Sequence, residues 1–176
     1  ADAKGLLKSA IRDPNPVIML ENEVLYGQTF EVPRDPDVTV PIGKAKVVKE
    51  GSDVSLVAFA MMVGKGVEGS DLLSNEGIEA EVIDLRTIRP LDVETIITSV
   101  KKTNRIVTVE QGWPTCGIGA EISSLVGEEA FDFLDAPVKR VAGVDVPMPY
   151  AANLEKLALP QTSDIVSAAK AVCYRG

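Results

Sequence analysis

The apolar residues follow two spacings along the chain, and together these predict a mixed α/β fold. Short runs rich in β-branched residues predict strands buried on both faces, whereas apolar residues three and four positions apart predict helices. Strands are predicted at residues 17–20, 54–59, 79–85, 105–110 and 138–142. Helices are predicted before Pro14, over residues 61–74, after Asp92, around residues 118–126, and after a cap at Thr162 or Ser163.

The central stretch, residues 82–121, indicates how these elements connect. Residues 82–85 form an apolar strand, and Asp92 can cap a helix whose apolar side chains are Val93, Ile96, Ile97 and Val100. A second β-branched run follows from Arg105. Strand, helix and strand within about thirty residues form a right-handed crossover of a parallel sheet. We therefore predict a three-layer α/β/α sandwich with a mostly parallel sheet of about five strands.

Two segments do not fit this regular pattern. Residues 26–44 contain three prolines and two glycines among charged residues, so they predict a long exposed connection. Residues 131–137, FDFLDAP, predict a loop with buried aromatic side chains. The first helix begins almost at residue 1 without an obvious cap, and we expect from this that the chain is part of a longer protein.

Composition excludes several classes of function. The chain of 176 residues has a net charge of −8, which opposes nonspecific binding to nucleic acid phosphates. That charge fits either simple solubility or an acidic patch for a basic protein partner. No histidine is present, so the chain alone lacks any Ser-His or Cys-His catalytic pair. Cys116 and Cys173 have no metal-ligand spacing, and reduced thiols are expected, with one disulfide as the alternative.

A glycine motif suggests one further class of function. Gly64, Gly66 and Gly69 match G-x-G-x-x-G after a predicted strand, and Asp84 lies about twenty residues beyond. This pattern is typical of a dinucleotide-binding domain. Four residues separate the strand from the first glycine, however, where a tight turn should be immediate. Loosely packed helix glycines are the alternative interpretation.

The other candidate residues lie in turns and loops. The turn at residues 112–121 places glycines at a helix start, where free N–H groups could hold an anion or simply allow close packing. Arg86 and Arg89 follow a strand end and could clamp an anion or pair with Asp84 or Glu110. Glu110 is a candidate acid or base by position, and Cys116 a weak candidate nucleophile. Asp132 and Asp135 are acidic candidates for partner docking.

Several motifs together resemble the pyruvate dehydrogenase (acetyl-transferring) beta subunit family, most closely plant or algal mitochondrial forms. They are KSAIRDPNPV, LENEVLYG, PIGKAKV, EAEVIDLRTIRPLD, KKTNRIVTVE, GIGAEI, FDFLDAPVKRVAG and DVPMPYA. The resemblance covers essentially the whole chain and implies the C-terminal transketolase-type domain. It assigns residues 15–176 to that domain and residues 1–14 to the tail helix of a preceding pyrimidine-binding domain.

The resemblance also implies a function for the full enzyme. That enzyme, an oxidoreductase, converts pyruvate to acetyl-CoA and CO₂ by decarboxylation on thiamine diphosphate with magnesium and by lipoyl acetylation. The family's diphosphate motif and activating glutamate are absent here, so this chain is expected to bind no cofactor or metal and to be inactive alone. Close relatives that act on branched-chain 2-oxo acids share the domain, so substrate choice lies outside it.

What the resemblance assigns to this part is assembly. It implies contacts with the alpha subunit and a second beta subunit in a heterotetramer in the mitochondrial matrix. It also implies docking to the peripheral subunit-binding domain of the acetyltransferase core, through Asp135 and the C-terminal carboxylate of Gly176, the last residue of the extra ending CYRG. A stand-alone interaction module and a dinucleotide-binding domain are the alternatives.

Overall fold

A single five-stranded sheet lies at the centre of the protein, whose computed structural model describes residues 1–175. The strands are β1 (Lys46–Lys49), β2 (Val54–Ala58), β3 (Ala80–Asp84), β4 (Ile106–Val109) and β5 (Lys139–Val141). Their order across the sheet is β1-β3-β2-β4-β5. Only β1 is antiparallel to its neighbour, so the predicted mostly parallel sheet is confirmed.

Six α-helices accompany the sheet over the described residues. They are α1 (Asp2–Arg12), α2 (Met61–Ser74), α3 (Val93–Thr103), α4 (Ile118–Glu129), α5 (Ala152–Ala158) and α6 (Thr162–Val172). Short 3₁₀ turns occupy Glu23–Gly27 and Phe131–Phe133. Helices α2 and α6 cover one face of the sheet, and α3 and α4 cover the other, which confirms the three layers. None of the helices in this described part combines the length and apolar character that crossing a membrane requires.

The central strand β2 shows why its sequence is apolar throughout. Successive side chains of a strand point to opposite faces of the sheet. Leu56 packs with the residues of α2 and α6, whereas its neighbour Val57 packs with those of α3 and α4. All five residues of β2 are buried, as expected for a strand between two helical layers.

Helix α3 begins after Asp92, the cap that the sequence predicts. The Asp92 carboxylate accepts a hydrogen bond from the Thr95 N–H at 3.3 Å and another from the Thr95 hydroxyl at 2.9 Å. It also accepts one from the Ala45 N–H at 2.9 Å, which joins the helix start to the segment before β1. At the other end Asn104 adopts the left-handed conformation with φ 59° and turns the chain toward β4. The predicted strand–helix–strand unit is therefore confirmed.

Two predicted features of the secondary structure are wrong. Residues 17–20 form no strand, and Ile18 and Leu20 are 86% and 89% exposed. The edge position beside β3 is occupied by β1 instead, and residues 17–20 pair with no strand of the sheet. The final helix is capped by Gln161, not by Thr162 or Ser163, because Gln161 and Asp164 form a reciprocal capping box.

Candidate docking site

Asp135 lies in the loop before β5, at the amino end of the parallel strands. Its backbone N–H donates to the carbonyl of Asn104, and its own carbonyl accepts from the Tyr174 hydroxyl, both at 2.9 Å. Its carboxylate accepts from Arg105 Nη2 at 2.9 Å. The side chain nevertheless remains 53% exposed. Asp135 is thus held on three sides and still presents a carboxylate to solvent.

The sequence around Asp135 explains this orientation. Leu134 packs against the α3–α4 side of the core, and the buried Ala136 belongs to the α2–α6 side. Both neighbours are anchored in apolar surroundings, so the loop is fastened across the end of the sheet. The polar residue between these two anchors is left at the surface.

Aromatic rings beside Asp135 are exposed, contrary to the prediction of a loop with buried aromatics. Phe131, Phe133 and Tyr174 all present their rings to solvent. Lys101 Nζ lies 5.1 Å from the centre of the Phe133 ring, a cation–π distance. The short 3₁₀ turn directs both phenylalanines away from the core, which Leu134 and Ala136 fill instead. The surface thus combines a carboxylate with ring faces that attract cations.

The second predicted docking residue, Gly176, lies outside the described residues. The residues just before it are described, and one of them contacts the same loop. Tyr174 follows the C-cap of α6 and reaches the carbonyl of Asp135 through its hydroxyl. The prediction for Gly176 therefore stays a prediction.

The glycine-rich turn before α4 holds an anion from the protein itself. The Glu110 carboxylate accepts hydrogen bonds from the N–H groups of Ile118 and Gly119, each at 3.0 Å. Gly117 and Gly119 leave room for it, since a Cβ at Gly117 would lie 2.6 Å from Glu110 Oε1. The alternative of close packing at this helix start is therefore the correct one. Glu110 is buried as a helix cap rather than presented as an acid or base.

The G-x-G-x-x-G motif lies inside α2 and not in the turn before it. The turn from β2 is made by Phe59 and Ala60, so no glycine of the motif forms the helix start. A Cβ on Gly66 would lie 3.4 Å from Val82, and one on Gly69 would lie 3.4 Å from Ile165. A Cβ at either position would meet only ordinary van der Waals contacts, which agrees with the alternative of loosely packed helix glycines. The dinucleotide interpretation is wrong for this motif, because the N–H groups it needs are inside a helix.

The two arginines after β3 have different surroundings. Arg86 forms an ion pair with Asp2 at 2.6 Å, which fastens α1 to the sheet, rather than with Asp84 or Glu110. Arg89 is exposed and forms no ion pair among the residues that the structure describes. The anion clamp is therefore not formed. Both cysteines are free thiols, and burial raises the pKa of Cys173.

Sequence reasoning missed a buried polar cluster between β3 and α3. Glu81 is 1% exposed and accepts from the Ser99 hydroxyl at 2.5 Å, while Lys102 bridges Glu81 and Glu50. The hydrogen bond to Glu81 is the main reason that the pKa of Lys102 is raised. Glu81, one of the two acidic residues in the otherwise apolar run 80–85, was the available signal. Arg105, the partner of Asp135, was missed in the same way.

The residues present do not fit thiamine diphosphate and magnesium. An anion at the start of α4 would meet the Glu110 carboxylate that already fills it. Among residues 1–175, no group of three or more acidic or cysteine side chains is arranged to hold a metal ion. The start of α4 is therefore closed to a diphosphate group by the chain's own carboxylate.

Comparison with known families matches residues 43–165 to the model described as transketolase, C-terminal domain. Among solved structures, a chain titled "Split gene transketolase, inactive beta4 tetramer" superposes with a TM-score of 0.69 at 30% identity. That match covers 81% of this chain and 46% of the other.

Curated relatives align over almost the whole chain. The pyruvate dehydrogenase E1 component subunit beta of Rhizobium meliloti is 59% identical over 175 residues, covering 99% of this chain and 38% of the relative. The mitochondrial subunit beta-2 of Oryza sativa is 60% identical over 177 residues, covering 99% and 47%. The mitochondrial subunit beta-1 of Arabidopsis thaliana is 59% identical, covering 99% and 49%. The chain thus spans about half or less of the length of these relatives.

Proposed function

The chain belongs to the transketolase C-terminal domain family, and from this we propose that it is the C-terminal part of a pyruvate dehydrogenase beta subunit. The observation that carries the proposal is identity of 59–60% over 99% of the chain with bacterial and plant subunits of that name. The complete enzyme would convert pyruvate to acetyl-CoA and CO₂, through decarboxylation on thiamine diphosphate and acetylation of a lipoyl group.

The role of this part would be assembly and docking. This role is supported by the lack of fit between the residues of this chain and the cofactor, because the Glu110 carboxylate already occupies the start of α4. Thiamine diphosphate and magnesium would be bound by the alpha subunit and the remainder of the beta subunit. This chain would contribute contacts to the alpha subunit and to a second beta subunit in the heterotetramer.

Asp135 supports docking to the peripheral subunit-binding domain of the acetyltransferase core. A basic partner would meet here a carboxylate that accepts a hydrogen bond from Arg105 yet remains half exposed, on a residue whose backbone N–H donates to the Asn104 carbonyl. Two exposed aromatic rings are close to Asp135 in the structure. Phe131 lies in the preceding 3₁₀ turn, and the Tyr174 hydroxyl donates to the Asp135 carbonyl. Charge pairs of this kind set specificity and association rate more than total affinity.

The mitochondrial matrix is the proposed location. It is supported by the plant relatives, whose names carry the word mitochondrial, while the bacterial relative shows that the domain itself does not require that compartment. A stand-alone interaction module is the competing function. Unlike the beta-subunit proposal, it predicts that the chain never restores catalysis when it is mixed with the other parts of the enzyme.

Reconstitution separates these two functions. The chain would be mixed with the alpha subunit, the N-terminal half of the beta subunit and the core's binding domain, and pyruvate decarboxylation would be assayed for each combination. Activity that requires both this chain and the N-terminal half supports the subunit proposal. Binding to the core domain with no activity in any mixture supports the interaction module.

Docking itself is tested with Asp135→Asn in the assembled enzyme. The substitution keeps the side-chain shape and removes the charge, so we expect affinity for the core's binding domain to fall roughly tenfold. Glu129→Gln is the matched control, because Glu129 is exposed at the end of α4 and forms no ion pair among the described residues. Equal affinity of the Asp135→Asn and wild-type enzymes would refute the docking role.

A further inference from the structure

The guanidinium of Arg105 connects two parts of the sheet's amino end. Its Nη2 donates to Asp135 Oδ2 at 2.9 Å, and its Nη1 donates to the Asp53 carbonyl at 3.4 Å. Asp53 directly precedes β2, whereas Asp135 lies in the loop before β5. The side chain of Arg105 is 25% exposed, so it is the more buried partner of the pair. Arg105 therefore links the amino end of the strands to Asp135, the candidate docking residue.

The base of this side chain is fixed by the sheet. The Arg105 carbonyl accepts from the Ser55 N–H at 2.8 Å and from the Thr103 hydroxyl at 3.0 Å. The residue directly precedes β4 in the centre of the sheet. Movement of the Arg105 backbone would thus require disruption of the pairing of β2 and β4.

Asp135 differs in that only its backbone is held independently. The Asn104 carbonyl and the Tyr174 hydroxyl fix its peptide groups. Among the described residues, the carboxylate itself has one hydrogen-bond partner, Arg105, and the bond uses Oδ2. Without that bond the exposed side chain is free to change its rotamer.

We propose that Arg105 is the positioning residue of the docking site: it holds the Asp135 carboxylate in the orientation that a basic partner meets. This rests on the proposed docking function and adds a residue to it. Arg105 does not itself bind the partner, because its cation would repel the partner's cation. Its contribution is pre-organisation, since a carboxylate that is already ordered loses less freedom on binding.

A role in neutralising Asp135 would give the opposite change in binding affinity when Arg105 is removed. If Arg105 mainly neutralised Asp135, its removal would strengthen binding of a basic partner. The carboxylate is half exposed, so water weakens the repulsion between Arg105 and the partner's cation. We therefore expect the loss of orientation to outweigh the gain in net negative charge.

A double-mutant cycle tests the proposal in the full beta subunit assembled with the alpha subunit. The probe is the purified peripheral subunit-binding domain, and the dissociation constant is measured at physiological ionic strength. We expect Arg105→Gln to weaken binding roughly threefold to tenfold. Arg105→Lys, which can still donate to Asp135, should recover part of the loss. In the Asp135→Asn background, Arg105→Gln should have no further effect.

Lys101→Gln is the matched control for charge. Lys101 lies on the same surface over the Phe133 ring, and no contact joins it to the Asp135 carboxylate among the described residues. It should leave binding unchanged or slightly tighter.

Unchanged or tighter binding of Arg105→Gln would overturn the proposal, as would an equal loss in both backgrounds. If Asp135→Asn binds as wild type does, the docking function fails and this role fails with it. If Asp135→Asn weakens binding and Arg105→Gln does not, only the positioning role fails. If Arg105→Gln does not fold, Arg105→Lys decides: binding as weak as Asp135→Asn overturns the proposal.

Discussion

The carboxylate of Glu110 accepts a hydrogen bond from the backbone N–H of Gly119 at 3.0 Å. This contact joins the carboxyl end of β4 to the first turn of α4. Helix starts carry unpaired N–H groups and a partial positive charge, and a buried carboxylate satisfies both. The feature that looked like an anion-binding site is thus part of the protein's own framework.

Glu110→Gln should destabilise the protein by about 1–3 kcal/mol. Glutamine can accept from only one of the two helix N–H groups, and its own NH₂ group would face the other N–H. The substitution also leaves Arg140, which lies 4.0 Å from Glu110 Oε1, without a counter-charge. Urea unfolding measures the effect. Glu129→Gln, an exposed change on the same helix, should alter the free energy of unfolding by less than about 0.5 kcal/mol. Equal stability of the two variants would contradict the capping role.

Gly119→Ala and Gly127→Ala should have opposite effects although both lie in α4. A Cβ at Gly119 would lie 2.5 Å from Thr108 Oγ1 and 2.8 Å from Glu110 Oε1, whereas nothing lies within 4 Å of one at Gly127. We expect the first change to cost about 1–3 kcal/mol by overpacking. The second should stabilise by up to about 1 kcal/mol, because alanine favours the helix. Thermal unfolding of both variants checks this, and a stabilised Gly119→Ala would show that the site has spare room.

These contacts show which parts of the fold local sequence patterns can predict. The unit from β3 to β4 was predicted because its signals are local: β-branched runs and the Asp92 cap. The run at residues 17–20 carries the same local signal but forms no strand, because pairing depends on which segment occupies the sheet edge. That edge belongs to β1.

The candidate site follows the same division. Asp132 and Asp135 were both acidic candidates in the sequence, and only the resemblance to a family motif singled out Asp135. Its partner Arg105 lies thirty residues earlier in the chain, and no local pattern joins them. The exposure of Phe131 and Phe133 was mispredicted because Leu134 and Ala136 supply the apolar contacts that the aromatics were expected to make.

Asp92→Asn should lower stability at pH 7 by about 1 kcal/mol. Burial by itself would raise the pKa of Asp92, but hydrogen bonds from Ala45 and Thr95, with Lys44 nearby, hold that pKa below its usual value. Because the pKa of Asp92 is lower in the folded protein than in the unfolded chain, its ionised carboxylate stabilises the fold at pH values above the unfolded pKa. This stabilisation is lost as the pH falls through the folded pKa. The deficit of the variant should therefore shrink in acid. Glu94→Gln, at an 84% exposed side chain, is the control for urea unfolding across this range.

Asp84→Asn should show the opposite dependence on pH. Burial raises the pKa of Asp84, and Asp2 raises it further, while the Arg86 N–H, the Arg86 charge and Lys46 partly offset this. The pKa of Asp84 is higher in the folded protein than in the unfolded chain. This difference does not affect stability below about pH 4, but the protein loses stability as the pH rises through the folded pKa. Asparagine still accepts the Arg86 N–H, which Asp84 Oδ1 accepts at 2.9 Å, and carries no charge to desolvate. The variant should therefore be more stable than wild type at pH 7 by less than about 1 kcal/mol, and the difference should vanish in acid. An Asp84→Asn variant less stable than wild type at pH 7 would mean that attraction to Arg86 and Lys46 outweighs the cost of burial.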